Sequence, residues 1–255
     1  MPFLFVAVFF YLFSAGMFAI GTFRGVYFKN LPSVMLLSGF FLYAVYFFYR
    51  YISTGHFPIG DIYGMVSLMG NLLVLLFTFM TLCFKRNVMD FGMIVAFIGF
   101  LTTLIGIPAK EVGYKNPFYV YHILSAAIAY ASLILGGLSS LIKLVVEKKL
   151  KTKHIEGFMI PVNLLRRIER GFLNIGFLAL TFTLIFGSLW AKSFLGKHWI
   201  NDPKLILTLV LWIYYAILTH LNLVKGLKPS QLSLLSFLGF LMVVISITLI
   251  RHSVS

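Results

Sequence analysis

The chain is expected to be an all-α, polytopic membrane protein, a bundle of about eight transmembrane helices. Three observations predict this. Of 255 residues, 60% are hydrophobic and 11% charged, whereas soluble domains carry about 25% charged residues. The apolar residues fall in blocks of roughly 20, the length that crosses a hydrocarbon layer of about 30 Å as a helix. The alternating ten-residue segments of a membrane β-barrel are absent.

In chain order the expected spans are 3–22, 32–52, 64–84, 89–107, 118–142, 171–191, 205–224 and 231–250. The first has no charged stretch before it and no small-residue cleavage site, so it is expected to be retained rather than removed as a signal. Asp61 precedes the third span and suits its N-cap. The fifth and sixth are separated by a basic linker, 143–170, containing KLVVEKKLKTKHIEG and LLRRIER. The amphipathic pattern of its second half fits a membrane surface. The sixth and seventh are separated by WAKSFLGKHWINDPKL, residues 190–205, a polar and aromatic segment. There Asp202-Pro203 fits a helix start, with Asp as cap and Pro at the first helical position. The whole of 1–255 reads as one integral membrane domain without internal repeats or low-complexity tracts.

The formal net charge is +14. In a membrane protein such an excess reflects orientation, because Lys and Arg collect in cytoplasmic loops; nucleic-acid binding is not expected. Of the 21 basic residues, fourteen fall in the connections between spans 1–2, 3–4, 5–6 and 7–8. That side is therefore expected to be cytoplasmic. Both termini and the 190–205 loop are then outside. The single Cys83 excludes an internal disulfide and reads as a packing residue.

This topology sorts the six histidines. His122 stands about one turn inside the outer end of the fifth span, and His252 lies just past the outer end of the eighth. Although 130 positions apart, they share one membrane level with Trp190, His198 and Trp199 of the loop and with His56 of STGHFPIGDIY. His220 lies in the seventh span near its cytoplasmic end, and His154 in the basic linker. An intramembrane histidine is a functional candidate by default. For His220, and similarly for His122 and His252 near the headgroups, the other reading is an interfacial side chain hydrogen-bonded to a neighbouring helix. Two neutral imidazoles from different helices can take an iron from opposite faces, and indole rings can cover a porphyrin. Zinc fits less well, since neither HExxH nor CxxC spacing occurs. No phosphate loop, nucleophile elbow or carboxylate dyad is present. A transporter of unrelated substrate would place charges or broken helices at mid-bilayer; here the ionisable residues crowd the span ends.

With these residues in view, the chain resembles the CcsA/ResC family of cytochrome c biogenesis proteins, whose outer loop is rich in tryptophan and reads approximately WGxxWxWDPKE. Here the stretch is LGKHWINDPKL, in which Gly196, Trp199, Asp202, Pro203 and Lys204 match, while Leu195 and Asn201 stand where the family has tryptophan and Leu205 where it has glutamate. Trp190, in GSLWA, matches another family position. GHFPIGDIYG resembles the family's GxFPxxNxYE, with Gly64 in place of the glutamate. YVYHILSAAIAYASLILGGLSSLIKLV, LWIYYAILTHLNL and LIRHSVS carry the histidines the family has in corresponding spans. The resemblance extends from about residue 50 to the end.

The resemblance implies haem handling. His122 and His252 would be the outer axial ligands and the loop with Trp190, Gly196, Trp199, Asp202 and Pro203 would cover the haem. His220 would belong to a second site within the membrane. It implies a membrane partner like CcsB/ResB, an apocytochrome c with a CxxCH motif as acceptor, and a component of a cytochrome c haem lyase. The location would be the cytoplasmic membrane. A second reading is a HemX-like protein that affects haem biosynthesis without ligating haem to a cytochrome.

Overall fold

A computed structural model describes residues 2–26, 28–84, 88–110, 116–153, 160–224 and 226–249. Among them are eight helices and no strand: α1 (Pro2–Arg24), α2 (Leu31–Thr54), α3 (Ile62–Phe84), α4 (Met89–Ile105), α5 (Pro117–Lys151), α6 (Val162–Leu195), α7 (Pro203–Val224) and α8 (Pro229–Leu249). Seven are long and apolar enough to cross a membrane. The eighth, α4, has 17 residues, about 25 Å of helix. The chain is a multi-pass helical membrane protein.

Most helix limits lie within a few residues of those expected, but the fifth and sixth helices are longer at the ends that face their connection. Residues 143–151 continue α5, and residues 162–170 begin α6. Most of the 143–170 stretch is therefore helix. Leu, Lys, Glu and Arg favour helix as well as apolar residues do, so the helices continue where hydropathy falls. His154 of that stretch lies outside the described residues. In the 190–205 segment, Trp190–Leu195 are the last turns of α6, and the non-helical part shrinks to residues 196–202.

The helices form two compact units, α1–α4 and α5–α8. In the first, α1 buries Leu4, Ala7, Tyr11, Ser14, Ala15 and Phe18 along one stripe, the helical period of a packed face. The Tyr11 hydroxyl donates to Asn71 Oδ1 at 2.6 Å, and Asn71 Nδ2 donates to Thr103 Oγ1 at 2.9 Å. This chain of bonds joins α1, α3 and α4 across an apolar interior, where unpaired polar groups are costly. Gly39 of α2 accommodates the Tyr11 ring: a Cβ there would meet Cε1 at 2.6 Å.

In the second unit α5 is the central helix, with residues 131–140 buried on every side. Small residues allow the approach. A Cβ on Gly137 would collide with Phe240 of α8, and one on Gly176 of α6 would collide with Leu133. Small residues at helix contacts are the usual means of close packing in membranes. Helix α8 runs antiparallel to α5, since Lys143 meets Ser233, Gly137 faces Phe240 and Tyr130 meets Ser246.

Two charged residues of the 143–170 stretch are interior. Lys143 and Glu169 have fully buried side chains and pair at 3.3 Å. The Lys143 ammonium also donates to the Pro229 carbonyl at 2.8 Å and to Ser233 Oγ at 2.6 Å, which employs its three protons. The pair ties α5, α6 and the start of α8 together.

Candidate functional site

The site builds outward from the first turn of α5. Asn116 caps that helix, its Oδ1 accepting from the Phe118 amide at 2.9 Å, while its Nδ2 donates to Ser193 Oγ at 2.6 Å. Ser193 Oγ donates to the Trp190 carbonyl at 2.8 Å. The start of α5 is thereby pinned to the end of α6, and His122 is set beside Trp190.

His122 is half-buried. Its Nδ1 lies 2.9 Å from the backbone carbonyl oxygen of Thr183. A carbonyl only accepts, so the Nδ1 nitrogen carries the proton and, in the neutral ring, Nε2 holds the lone pair. Gly187 makes room for this ring: a Cβ there would stand 2.9 Å from Nδ1. The Trp190 indole lies nearly parallel to the imidazole, with centroids 6.5 Å apart and planes at 8°. Phe194 stacks on Trp190 at 5.7 Å and 10°, and Tyr119 leans on it at 5.5 Å. One imidazole with a fixed tautomer thus sits in a row of flat aromatic faces.

Three of the predicted loop residues shape the chain. Gly196 ends α6 in the left-handed conformation, φ 73°, with its amide donating to the Lys192 carbonyl, a conformation in which a side chain would be strained. Asp202 is 1% exposed and starts α7. Its Oδ1 accepts from the amides of Lys204 at 2.9 Å and Leu205 at 3.1 Å. Pro203 follows as the first helical residue. Trp199, between these signals, is 45% exposed, and its indole nitrogen donates to Asn201 Oδ1 at 3.3 Å. His198 is exposed, with Nδ1 3.1 Å from Ser188 Oγ.

Lys204, a family match without an assigned role above, reaches further. Its ammonium donates to the Ser246 carbonyl of α8 and lies 5.8 Å from the centre of the Tyr130 ring of α5. It joins the end of the loop to the last turns of α8. Sequence reasoning also missed Thr183 and Gly187: the first acts through its backbone, and the second matters by what it lacks.

The other predicted residues separate. His220 sits 17 residues beyond Pro203, about 25 Å along α7, so it does not join His122. Its side chain is exposed, and the neighbouring-helix hydrogen bond considered for it is not among those formed by the described residues. His252 lies outside the described residues. His56 belongs to the first unit, where Asp61 caps α3 as expected: its Oδ1 accepts from the Gly64 amide and its Oδ2 from the Lys110 amide, both at 2.8 Å. Gly64, which replaces the family's glutamate, lies against the Pro58 carbonyl, with no space for a Cβ.

Haem requires an imidazole nitrogen with a lone pair and flat aromatic surroundings. His122, protonated at Nδ1 and beside Trp190 and Phe194, fits that requirement in tautomer and in neighbours. No group of three His, Cys, Asp or Glu suited to a bare metal ion occurs among the described residues.

The chain is similar to the cytochrome c biogenesis protein CcsA of Chlamydomonas reinhardtii, 27% identical over 228 residues, covering 84% of this chain and 63% of that protein. It is 25% identical over 256 residues to CcsA of Prochlorococcus marinus strain SARG, covering 85% and 79%. It is 30% identical over 236 residues to CcsA of strain MIT 9215, covering 80% and 76%. The chain thus spans a little under two thirds of the algal relative's length and about three quarters of the others. The family model described as cytochrome C assembly protein matches residues 2–254, and the chain belongs to that family.

Proposed function

We propose that the protein holds haem at the His122 end of its second unit and presents it for attachment to an apocytochrome c. The observation that carries this reading is the 2.9 Å contact between His122 Nδ1 and the Thr183 carbonyl. It fixes the ring, directs the lone pair to Nε2 and is the outer hydrogen bond that iron-ligating histidines characteristically make. Trp190 and Phe194 supply the faces for the porphyrin edge.

His252 is the proposed second ligand. The antiparallel register supports it. Tyr130, level with Ser246, is little more than two turns of α5 from His122, about 12 Å. His252 follows Ser246 by six residues, and six residues of chain reach up to about 20 Å. Lys204 anchors α8 at Ser246 and so limits where that chain can go. Asp202, Pro203 and Gly196 set the loop, and Trp199 is its exposed aromatic. His220, facing outward on α7, is assigned to a separate membrane site completed by a partner chain.

Haem is the cargo in this scheme. The acceptor's CxxCH thiols add across the haem vinyl groups, each forming a sulfur–carbon bond while its hydrogen passes to the other vinyl carbon. The acceptor's histidine then replaces one of the two imidazoles. The protein acts as a component of a cytochrome c haem lyase with a CcsB/ResB-like partner. Both units serve as one integral domain of the cytoplasmic membrane, with the 190–205 segment and both termini outside, as the charge distribution favours.

Leu195 and Asn201 reduce the indole area of the loop, which favours as second reading a HemX-like protein acting on haem biosynthesis. Deletion distinguishes the two. Loss of c-type cytochromes with normal haem precursors supports ligation; normal c-type cytochromes with altered precursors supports the second reading.

A further inference from the structure

At the end of the second unit opposite His122, α7 carries three polar atoms that are buried and without a hydrogen-bond partner: Tyr215 Oη, Thr219 Oγ1 and Asn222 Oδ1. Spacings of four and three residues place them on one helical face. At Tyr215 that face meets α8. A Cβ on Gly239 would stand 2.6 Å from the Tyr215 hydroxyl, and the Tyr214 hydroxyl donates to the Leu235 carbonyl at 2.7 Å. From Tyr215 the stripe runs toward the α7 C-terminus as α8 runs back from Gly239 toward Ser236 and Ser233. Ser233 Oγ donates to Glu169 Oε2 at 3.0 Å.

Buried polar atoms in proteins are almost always satisfied, by protein or by ordered water. An unsatisfied group is still less tolerable inside a bilayer. Three such atoms on one face of α7 share one explanation. We infer that the polar stripe of α7 from Tyr215 to Asn222 is a hydrated seam: a file of water molecules enters from the α7 C-terminal end. The hydroxyls of Tyr215 and Thr219 can donate to and accept from water, and the Asn222 side-chain oxygen accepts. The seam supplies a polar lining on the side of α7 turned away from its lipid-facing residues, such as Ile213 and Ile217, which are 45% and 55% exposed.

Thiol accessibility in membrane vesicles tests this. With Cys83→Ser as background, Thr219→Cys and Asn222→Cys are treated with a charged, water-soluble thiol reagent beside Ile217→Cys on the lipid face. The thiolate is the reacting form, and it forms only where water reaches. Labelling at least about tenfold faster at 219 and 222 than at 217 is the expected result. Equal rates at all three positions overturn the proposal. If either seam cysteine variant fails to accumulate, the thermal midpoint of Tyr215→Phe decides. Removing a hydroxyl from a dry site relieves an unpaired group and raises the midpoint, which overturns the proposal. Removing one bound to water leaves the midpoint unchanged or lowers it, as expected here.

Discussion

The imidazole of His122 lies 2.9 Å, through Nδ1, from the backbone carbonyl oxygen of Thr183 on the neighbouring helix α6. Because the acceptor is a main-chain oxygen, no substitution at Thr183 abolishes this contact directly. What can be altered is the space in which the ring turns. Gly187 sets that space, and Gly187→Ala puts a methyl 2.9 Å from Nδ1. This is expected to cost about 1–3 kcal/mol through overpacking and to lower haem retention more than it lowers the yield of folded protein. Heme content per purified protein, with the thermal midpoint beside it, checks the prediction; a stable variant with full haem would remove Gly187 from the site.

Asp202 tests whether a loop residue that matches the family acts on haem or on the helix. As the cap of α7 it accepts two amides. Asp202→Ala is expected to destabilise by about 0.5–2 kcal/mol, and Asp202→Asn by little, because asparagine caps nearly as well. Haem content should follow stability across the two variants. If Asp202→Asn keeps its thermal midpoint and loses haem, the carboxylate itself has a role that capping does not explain.

The buried pair Lys143–Glu169 gives a third prediction. Lys143→Met strands the Glu169 carboxylate among α5, α6 and α8 and should cost about 3–5 kcal/mol. Lys143→Met combined with Glu169→Leu should recover much of that loss, since replacing both members of a buried pair is often neutral. Thermal unfolding of the two variants in the same detergent makes the comparison. Equal loss in both would show that the serine and carbonyl contacts of Lys143, not its charge, hold the helices.

How far the sequence reveals this protein depends on which atoms carry the information. The apolar blocks locate α1–α4, α7 and α8 to within a few residues because length and hydropathy are side-chain properties that a bilayer reads directly. Asp61 and Asp202 are legible as caps because capping is local, the acceptor and its amides lying within three residues. The far ends of α5 and α6 are not legible by hydropathy, since helical hydrogen bonding continues after the apolar residues stop. Lys143 and Glu169 look solvated for the same reason: their partner contacts span 26 residues and more. His122 is legible as a candidate, whereas its orientation rests on a carbonyl of α6 and an absent side chain at Gly187, neither of which a sequence pattern displays.

The most direct measurement is the absorption spectrum of the purified membrane complex for the unaltered protein, His122→Ala and His252→Ala, each shown to be folded and to retain its partner. Haem with a six-coordinate, two-histidine spectrum in the unaltered protein, and loss of that spectrum together with most c-type cytochrome in each variant, is the result expected. Full haem content and unchanged cytochrome yield in both folded variants would contradict the assignment of His122 and His252 as the ligands that present haem.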